Sequence, residues 1–120
     1  MEATAHARFQ RYGTRKVSQV LAQIRGRRVL EAEEMLPSFP RACAGMVAKT
    51  LKSAASNFAV KASRSGRKLE PARLFVKSCW AGQGPMLQMK RTMPAPMGRA
   101  NVFKRKVCHV TIVVADGAEG

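Results

Sequence analysis

Between residues 84 and 106 the chain reads GPMLQMKRTMPAPMGRANVFKRK, a stretch whose middle, 93–98, has no pattern of its own for burying a core. Six of its side chains are basic (Lys90, Arg91, Arg99, Lys104, Arg105 and Lys106) and none is acidic. Its middle, Met93-Pro94-Ala95-Pro96-Met97-Gly98, carries turn residues. Strand-like runs flank it at 74–81 and 107–115, the second rich in β-branched Val110, Ile112, Val113 and Val114. This arrangement predicts a long basic hairpin, reversing near 94–97 and standing off a small body. Ten residues a side at roughly 3.3 Å each give a reach on the order of 30 Å. Such a hairpin is marginal alone in water, so its order comes from a partner, and its charge asks for a polyanion.

Charge over the whole chain agrees. Lys and Arg number 22 against 7 Asp and Glu, a formal charge of +15 and a pI near 11.2. Phosphates would relieve that self-repulsion, with release of condensed counterions. An apolar content of 46% separates the chain from a disordered basic tail. No apolar run approaches the roughly 20 residues that span a bilayer, so no membrane partner is expected. The N-terminus has no apolar signal core, and Glu2 stands where an acid-poor transit peptide would start. Cys43, Cys79 and Cys108 are widely spaced and form no C-x-x-C pair. They read as buried reduced thiols, with no metal and no cofactor.

Along the chain, residues 3–12 alternate Ala5, Ala7 and Phe9 with His6, Arg8 and Gln10, which predicts a half-buried strand. Thr14 is placed to cap a helix whose apolar face is Val17, Val20, Leu21 and Ile24, ended by Gly26. Arg25, Arg27 and Arg28 cluster there, favourable for the helix dipole and arranged as a possible phosphate clamp. A second helix over about 29–36 holds Glu31, Glu33 and Glu34 and stops at Pro37; this segment belongs away from nucleic acid. Ser38 is placed to cap a third helix, with Pro40 in its first turn and Cys43, Val47, Leu51, Ala54, Ala55 and Phe58 on its apolar face. That helix is expected to fade into a basic loop at 61–68. The order of elements predicts an α+β fold: three helices packed on a small three-stranded antiparallel sheet, with a long protruding β-hairpin. One domain is expected over 1–120, with a body at about 2–83 and 107–115, the hairpin at about 84–106 and a tail at 116–120. Trp80 and Phe75 are expected to pack within the sheet, and His6 and His109 to be structural.

One ordered series of short motifs resembles a known family. Arg15-Lys16-Val17, Ile24-Arg25-Gly26, Leu51-Lys52-Ser53-Ala54 and Asn57 begin it. Leu69-Glu70-Pro71, Leu74-Phe75-Val76-Lys77 and Gly84-Pro85 follow. Lys90-Arg91, Met93-Pro94, Gly98-Arg99-Ala100 and the run from His109 through Val110, Thr111, Ile112 and Val113 to Val114 complete it. In this order, over about residues 2–115, they resemble the bacterial-type large-subunit ribosomal proteins of the L twenty-two family. The resemblance implies a structural constituent of the large ribosomal subunit, bound to its ribosomal RNA near the mouth of the peptide exit tunnel. It implies that the hairpin threads through RNA and lines the tunnel wall. The tip would narrow the passage together with ribosomal protein L four, near where macrolides bind.

The residues implied as rRNA-binding are Arg8, Arg11, Arg15, Lys16, Arg25, Arg27, Arg28, Lys90, Arg91, Arg99, Lys104, Arg105 and Lys106. The tunnel-lining tip would be Lys90, Arg91, Met93, Pro94, Ala95, Pro96, Met97, Gly98 and Arg99. Partners would be rRNA, neighbouring large-subunit proteins and the nascent polypeptide, with no homo-oligomer. The location would be the cytoplasmic ribosome of a bacterium, or an organellar matrix or stroma. The family usually has a further basic residue after the tip proline and a polar one before the glycine; here Ala95-Pro96-Met97 makes the tip more apolar.

Composition alone also admits an architectural protein whose basic β-ribbon enters a DNA groove. Such readers usually pair as dimers to match half-sites, and nothing here writes a dimer interface. A nucleic-acid-processing enzyme is disfavoured. No acid occurs between Pro71 and Ala115, and no Ser/His/Asp set or phosphate-cradling loop is present.

Overall fold

The computed structural model describes residues 1–66, 71–85, 90–104 and 106–116, with positions 90, 91, 103 and 104 described for their backbone alone. Three strands, β1 (Glu2–Gln10), β2 (Leu74–Gln83) and β5 (Cys108–Asp116), form an antiparallel sheet in the order β1-β5-β2. Two further strands, β3 (Lys90–Pro94) and β4 (Ala100–Lys104), form a separate two-stranded sheet. Between β1 and β2 lie the helices α1 (Thr14–Ile24), α2 (Val29–Met35) and α3 (Ala44–Arg64). This is the expected α+β arrangement, with helices on one face of a small sheet.

The apolar period of α1 lands as its spacing requires: Val17, Val20, Leu21 and Ile24 are all buried. They face β2, while α3 lies across β1 and β5. From α3 come Val47, Leu51, Ala54, Phe58 and Ala62, and from the sheet Ala3, Ala5, Val76, Cys79, Val110, Ile112 and Val114. The small residues of β1 and α3 let helix and sheet approach closely. α3 also protects the outer edge of β1. Asn57 Nδ2 donates to the Thr4 carbonyl at 3.0 Å and Lys61 Nζ to the Glu2 carbonyl at 2.7 Å, so acceptors that would invite another strand are occupied. At that end Lys77 pairs with the Glu2 carboxylate, and the N-terminal amine with Asp116 at 3.5 Å.

Several local expectations are corrected. Thr14 does not cap α1; Gly13 holds that position in extended backbone, and no side chain accepts from the helix N-terminus. Pro37 sits inside a 3-10 turn, Leu36–Ser38, that continues from α2. Ser38 donates back to the Met35 carbonyl at 2.7 Å and so closes the preceding turn instead of opening α3, which begins only at Ala44 with Pro40 outside it. α3 runs on through Arg64, because Ala62 is buried and Lys61 is anchored on β1; of the expected basic loop, Ser65 and Gly66 form a turn. Residues 67–70 lie outside the described residues.

The half-buried alternation of β1 also fails at its end. Ala3 and Ala5 are buried, but Phe9 is 65% exposed with φ 57°, at a bulge where the pairing with β5 shifts between Ala7 and Gln10. Trp80, expected to pack, lies on the sheet face opposite the helices and is 51% exposed. A second bulge, between Val76 and Ser78, places Cys79 inward beside Leu21 and Trp80 outward.

The turn after α1 is clasped to β2. Gly26, at φ 79°, donates its N–H to the Val76 carbonyl at 3.0 Å, and Val76 donates to Arg27 at 2.8 Å. Glycine enters that left-handed conformation without the Cβ penalty.

Candidate nucleic-acid interface

The arm begins where Gly84 donates its N–H to the Val107 carbonyl at 2.7 Å. Beyond this root, β3 and β4 run antiparallel in the register Lys90–Lys104, Arg91–Phe103, Thr92–Val102, Met93–Asn101 and Pro94–Ala100. The tip is a 3-10 turn, Pro96–Gly98, with Met97 at φ 62° and Gly98 at φ 74°. The Ala95 N–H donates to Arg99 O at 2.8 Å across its mouth. Met97 is 98% exposed, and Met93, Arg99 and Val102 are exposed too. The expected reversal near 94–97 is therefore centred on 96–98. Met86, Met89 and Arg105 lie outside the described residues.

The whole molecule measures 67 × 28 × 18 Å, with a radius of gyration of 17.9 Å. A compact chain of this length would have about 14 Å. Apolar side chains on a two-stranded ribbon gain little from folding unless something covers them.

The basic residues of the body divide into two kinds. Arg15 and Lys16 are exposed in the first turn of α1, which contains no acid, so they oppose the helix dipole. The aliphatic stem of Lys106 lies against Gly13, just before that turn, which brings the arm root to the N-terminus of α1. Arg8 and Arg11 are exposed at the end of β1 and in the turn beyond it. The other three have backbone roles. Arg25 Nη2 donates to the Cys79 carbonyl at 2.7 Å, locking α1 to β2. Arg27 Nε donates to the Gln23 carbonyl at 2.8 Å, closing the end of α1. Arg28 precedes α2 and bridges to Phe75 of β2. The exposed arginines at 25, 27 and 28 thus share one end of α1, but two of their guanidinium groups already hold carbonyls.

All three cysteines are buried and unbridged. Burial pushes the Cys79 thiol up, against the opposing pull of Arg25, and pushes the Cys108 thiol up as well. Neither is a reactive thiolate. Among the described residues no group of three His, Cys, Asp or Glu is placed to hold a metal ion, and no helix is long and apolar enough to cross a membrane.

The face of the sheet away from the helices was not singled out by the sequence. His6 Nδ1 and Thr111 Oγ1 share a hydrogen bond of 3.0 Å. The Phe9 N–H donates to His109 Nδ1 at 3.0 Å, and the two rings meet edge to face at 4.9 Å. With Arg8 and Val110 these residues line an open depression of about 390 Å³. The polar half of the β1 alternation, His6 and Arg8, was the available signal; the bulge that turns Phe9 outward depends on pairing with a strand a hundred residues away.

Comparison with known proteins places this geometry in a family. The family described as ribosomal protein L22p/L17e matches residues 5–115. The protein named large ribosomal subunit protein uL22 of Pelotomaculum thermopropionicum is 40% identical over 120 residues, covering 100% of both chains. Its namesake in Endomicrobium trichonymphae is 42% identical over 118 residues, 98% of this chain and 95% of its own. That of Clostridioides difficile is 36% identical over 116 residues, 97% and 98% respectively. With the α+β body, the paired arm and a family match spanning nearly the whole chain, this protein belongs to the ribosomal protein L22p/L17e family.

Proposed function

We propose that the protein is a structural, non-enzymatic constituent of the large ribosomal subunit, held by ribosomal RNA along the arm and the basic side of the body. The observation that carries this reading is the arm itself: an exposed, acid-free ribbon that gives a 120-residue chain a 67 Å axis. Its order requires polyanion on both sides, as RNA packed around it would supply. Phosphate contacts by Arg15, Lys16, Lys106 and the arm's lysines and arginines fix position, and RNA shape supplies most of the specificity. Placed as the family resemblance implies, the turn at Pro96–Gly98 faces the lumen of the peptide exit tunnel. Exposed Met93 and Met97 then offer soft apolar surface to a passing nascent chain, near the macrolide site.

The identity of the relatives favours a bacterial, cytoplasmic ribosome. The three relatives carry the name of a large-subunit protein, which weighs against the β-ribbon DNA binder. The test is sucrose-gradient sedimentation of lysate from the native source after a high-salt wash, with the protein traced by mass spectrometry. Retention with the large subunit is expected. Loss to the top of the gradient or to DNA-containing fractions would overturn the reading.

A further inference from the structure

The depression beside Phe9 and the exposed ring of Trp80 belong to one surface. In the sheet, Trp80 is in register with Thr111, and Thr111 with His6. One rung further, His109 is in register with Gly82. A side-chain carbon at Gly82 would meet nothing within 4 Å, so the floor between Trp80 and His109 is open. This face therefore presents His6, His109 and Phe9 around the depression, with Arg8 at its margin and no Asp or Glu in its lining, and Trp80 stands beside it on the same face, across from Thr111. It ends at Cys108, next to the root of the arm.

Two features set the face apart from ordinary exposed apolar residues. Phe9 holds a left-handed backbone conformation at φ 57°, which is uncommon for a bulky residue and is kept only where surroundings impose it. Here the imposing contact is the Phe9 N–H bond to His109. Because Nδ1 of His109 accepts that bond, the proton of the neutral ring is on Nε2, which is left as a donor. Strain, an aimed imidazole, two exposed aromatic rings and an arginine are the parts used to stack and hold unpaired bases on a sheet.

We propose that this open sheet face is a stacking site for unpaired RNA bases, separate from the phosphate contacts of the arm. The proposal rests on the reading of the protein as RNA-bound, and commits to single-stranded RNA: the adjoining arm root is already basic, and a base offers a flat face to Trp80 and Phe9 while its phosphate meets Arg8. A depression of about 390 Å³ is wide enough for a nucleobase.

Trp80 is the chain's one tryptophan, so its fluorescence reads the site directly. The full chain is titrated with single-stranded oligoadenylate, with duplex RNA and with inorganic polyphosphate, binding being followed in parallel by anisotropy of the labelled polyanion. Oligoadenylate is expected to quench Trp80, while polyphosphate binds without quenching. Phe9→Gly removes the ring at a backbone angle glycine adopts freely, so the fold is retained. It is expected to weaken oligoadenylate binding about fivefold or more and to leave polyphosphate binding unchanged. The proposal is overturned if oligoadenylate binds with Trp80 silent, if polyphosphate quenches equally, or if Phe9→Gly binds oligoadenylate as well as the parent. Quenching by RNA-free large-subunit proteins with none by oligoadenylate would overturn it in favour of a protein partner. Binding of large-subunit rRNA with a steep salt dependence would survive those outcomes, and its loss would count separately against the ribosomal reading.

Discussion

Gly84 and Val107 touch so closely that no side chain fits between them. The Gly84 N–H donates to Val107 O at 2.7 Å, and a Cβ at position 84 would lie 2.8 Å from Val107 Cγ1 and 3.1 Å from its carbonyl oxygen. Val107 is itself buried. Gly84→Ala is therefore expected to lower stability by about 1–3 kcal/mol through displacement of backbone as well as side chain. Thermal denaturation against the parent checks this, and an unchanged midpoint would mean the root is looser than its geometry.

The two kinds of body arginine separate by experiment. Arg25→Ala removes the bond to the Cys79 carbonyl and is expected to cost about 1–2 kcal/mol of stability, the low part of the range for charged donors because the residue is exposed. Arg15→Gln with Lys16→Gln should leave stability within about 0.5 kcal/mol, since both are exposed and both oppose the helix dipole. The double variant should instead bind rRNA more weakly, with a salt slope shallower by about one to two. Urea titration and filter binding at several salt concentrations read the two effects. A salt slope equal to the parent's would remove Arg15 and Lys16 from the interface.

Protonation of the buried thiols links to stability with a definite sign. Burial raises Cys79 and Cys108 in the folded state above their unfolded values, so between the two values the folded protein binds more protons. That contribution is fully present below the unfolded value, near pH 8.5, and is lost as pH rises through the folded one. Denaturant midpoints are expected to fall above about pH 8.5. Replacing Cys79 and Cys108 with Ala should reduce that fall, and alkylation by iodoacetamide should be slow in the native protein and fast in urea.

Removing the outer arm, residues 90–99, should leave the body folded and able to enter the subunit. The core residues of α1, α3 and the three-stranded sheet all lie outside it. If the tip lies in the exit tunnel as proposed, its loss should alter the lumen and the response to macrolides. The check is gradient sedimentation of the variant together with macrolide inhibition of translation; a variant that never reaches the subunit would show that the arm is needed for assembly.

Much of this architecture was legible because it rests on local periodicity. Val17, Val20, Leu21 and Ile24 announce the buried face of α1 from spacing alone, and β-branched Val110, Ile112 and Val114 announce β5. The arm was legible for the opposite reason, as charge with nothing to bury. What escaped depends on partners distant in sequence. Ser38 carries the chemistry of a helix cap but spends it on Met35, because the chain must first turn through Leu36–Ser38. Phe9 and Trp80 look like core aromatics until two bulges, each defined only by pairing with β5, turn them outward. Arg25 and Arg27 look like free cations until their carbonyl partners are known. Hence the arm's location was readable and the division of labour among body arginines was not.

The place of β5 in the sheet bears on how the protein is made. β1 and β2 meet no other strand of the sheet except β5, which follows both of them in the chain. Both have left the peptidyl-transferase centre before the sheet can close, and the β1–β5 pairing, spanning Glu2 to Ala115, is strongly long-range. A newborn copy therefore waits, highly cationic and with the core residues of its sheet unpaired, until β5 emerges. In that interval it is most exposed to stray nucleic acid and to aggregation, and anything that shields it then governs how much of it ever reaches a subunit.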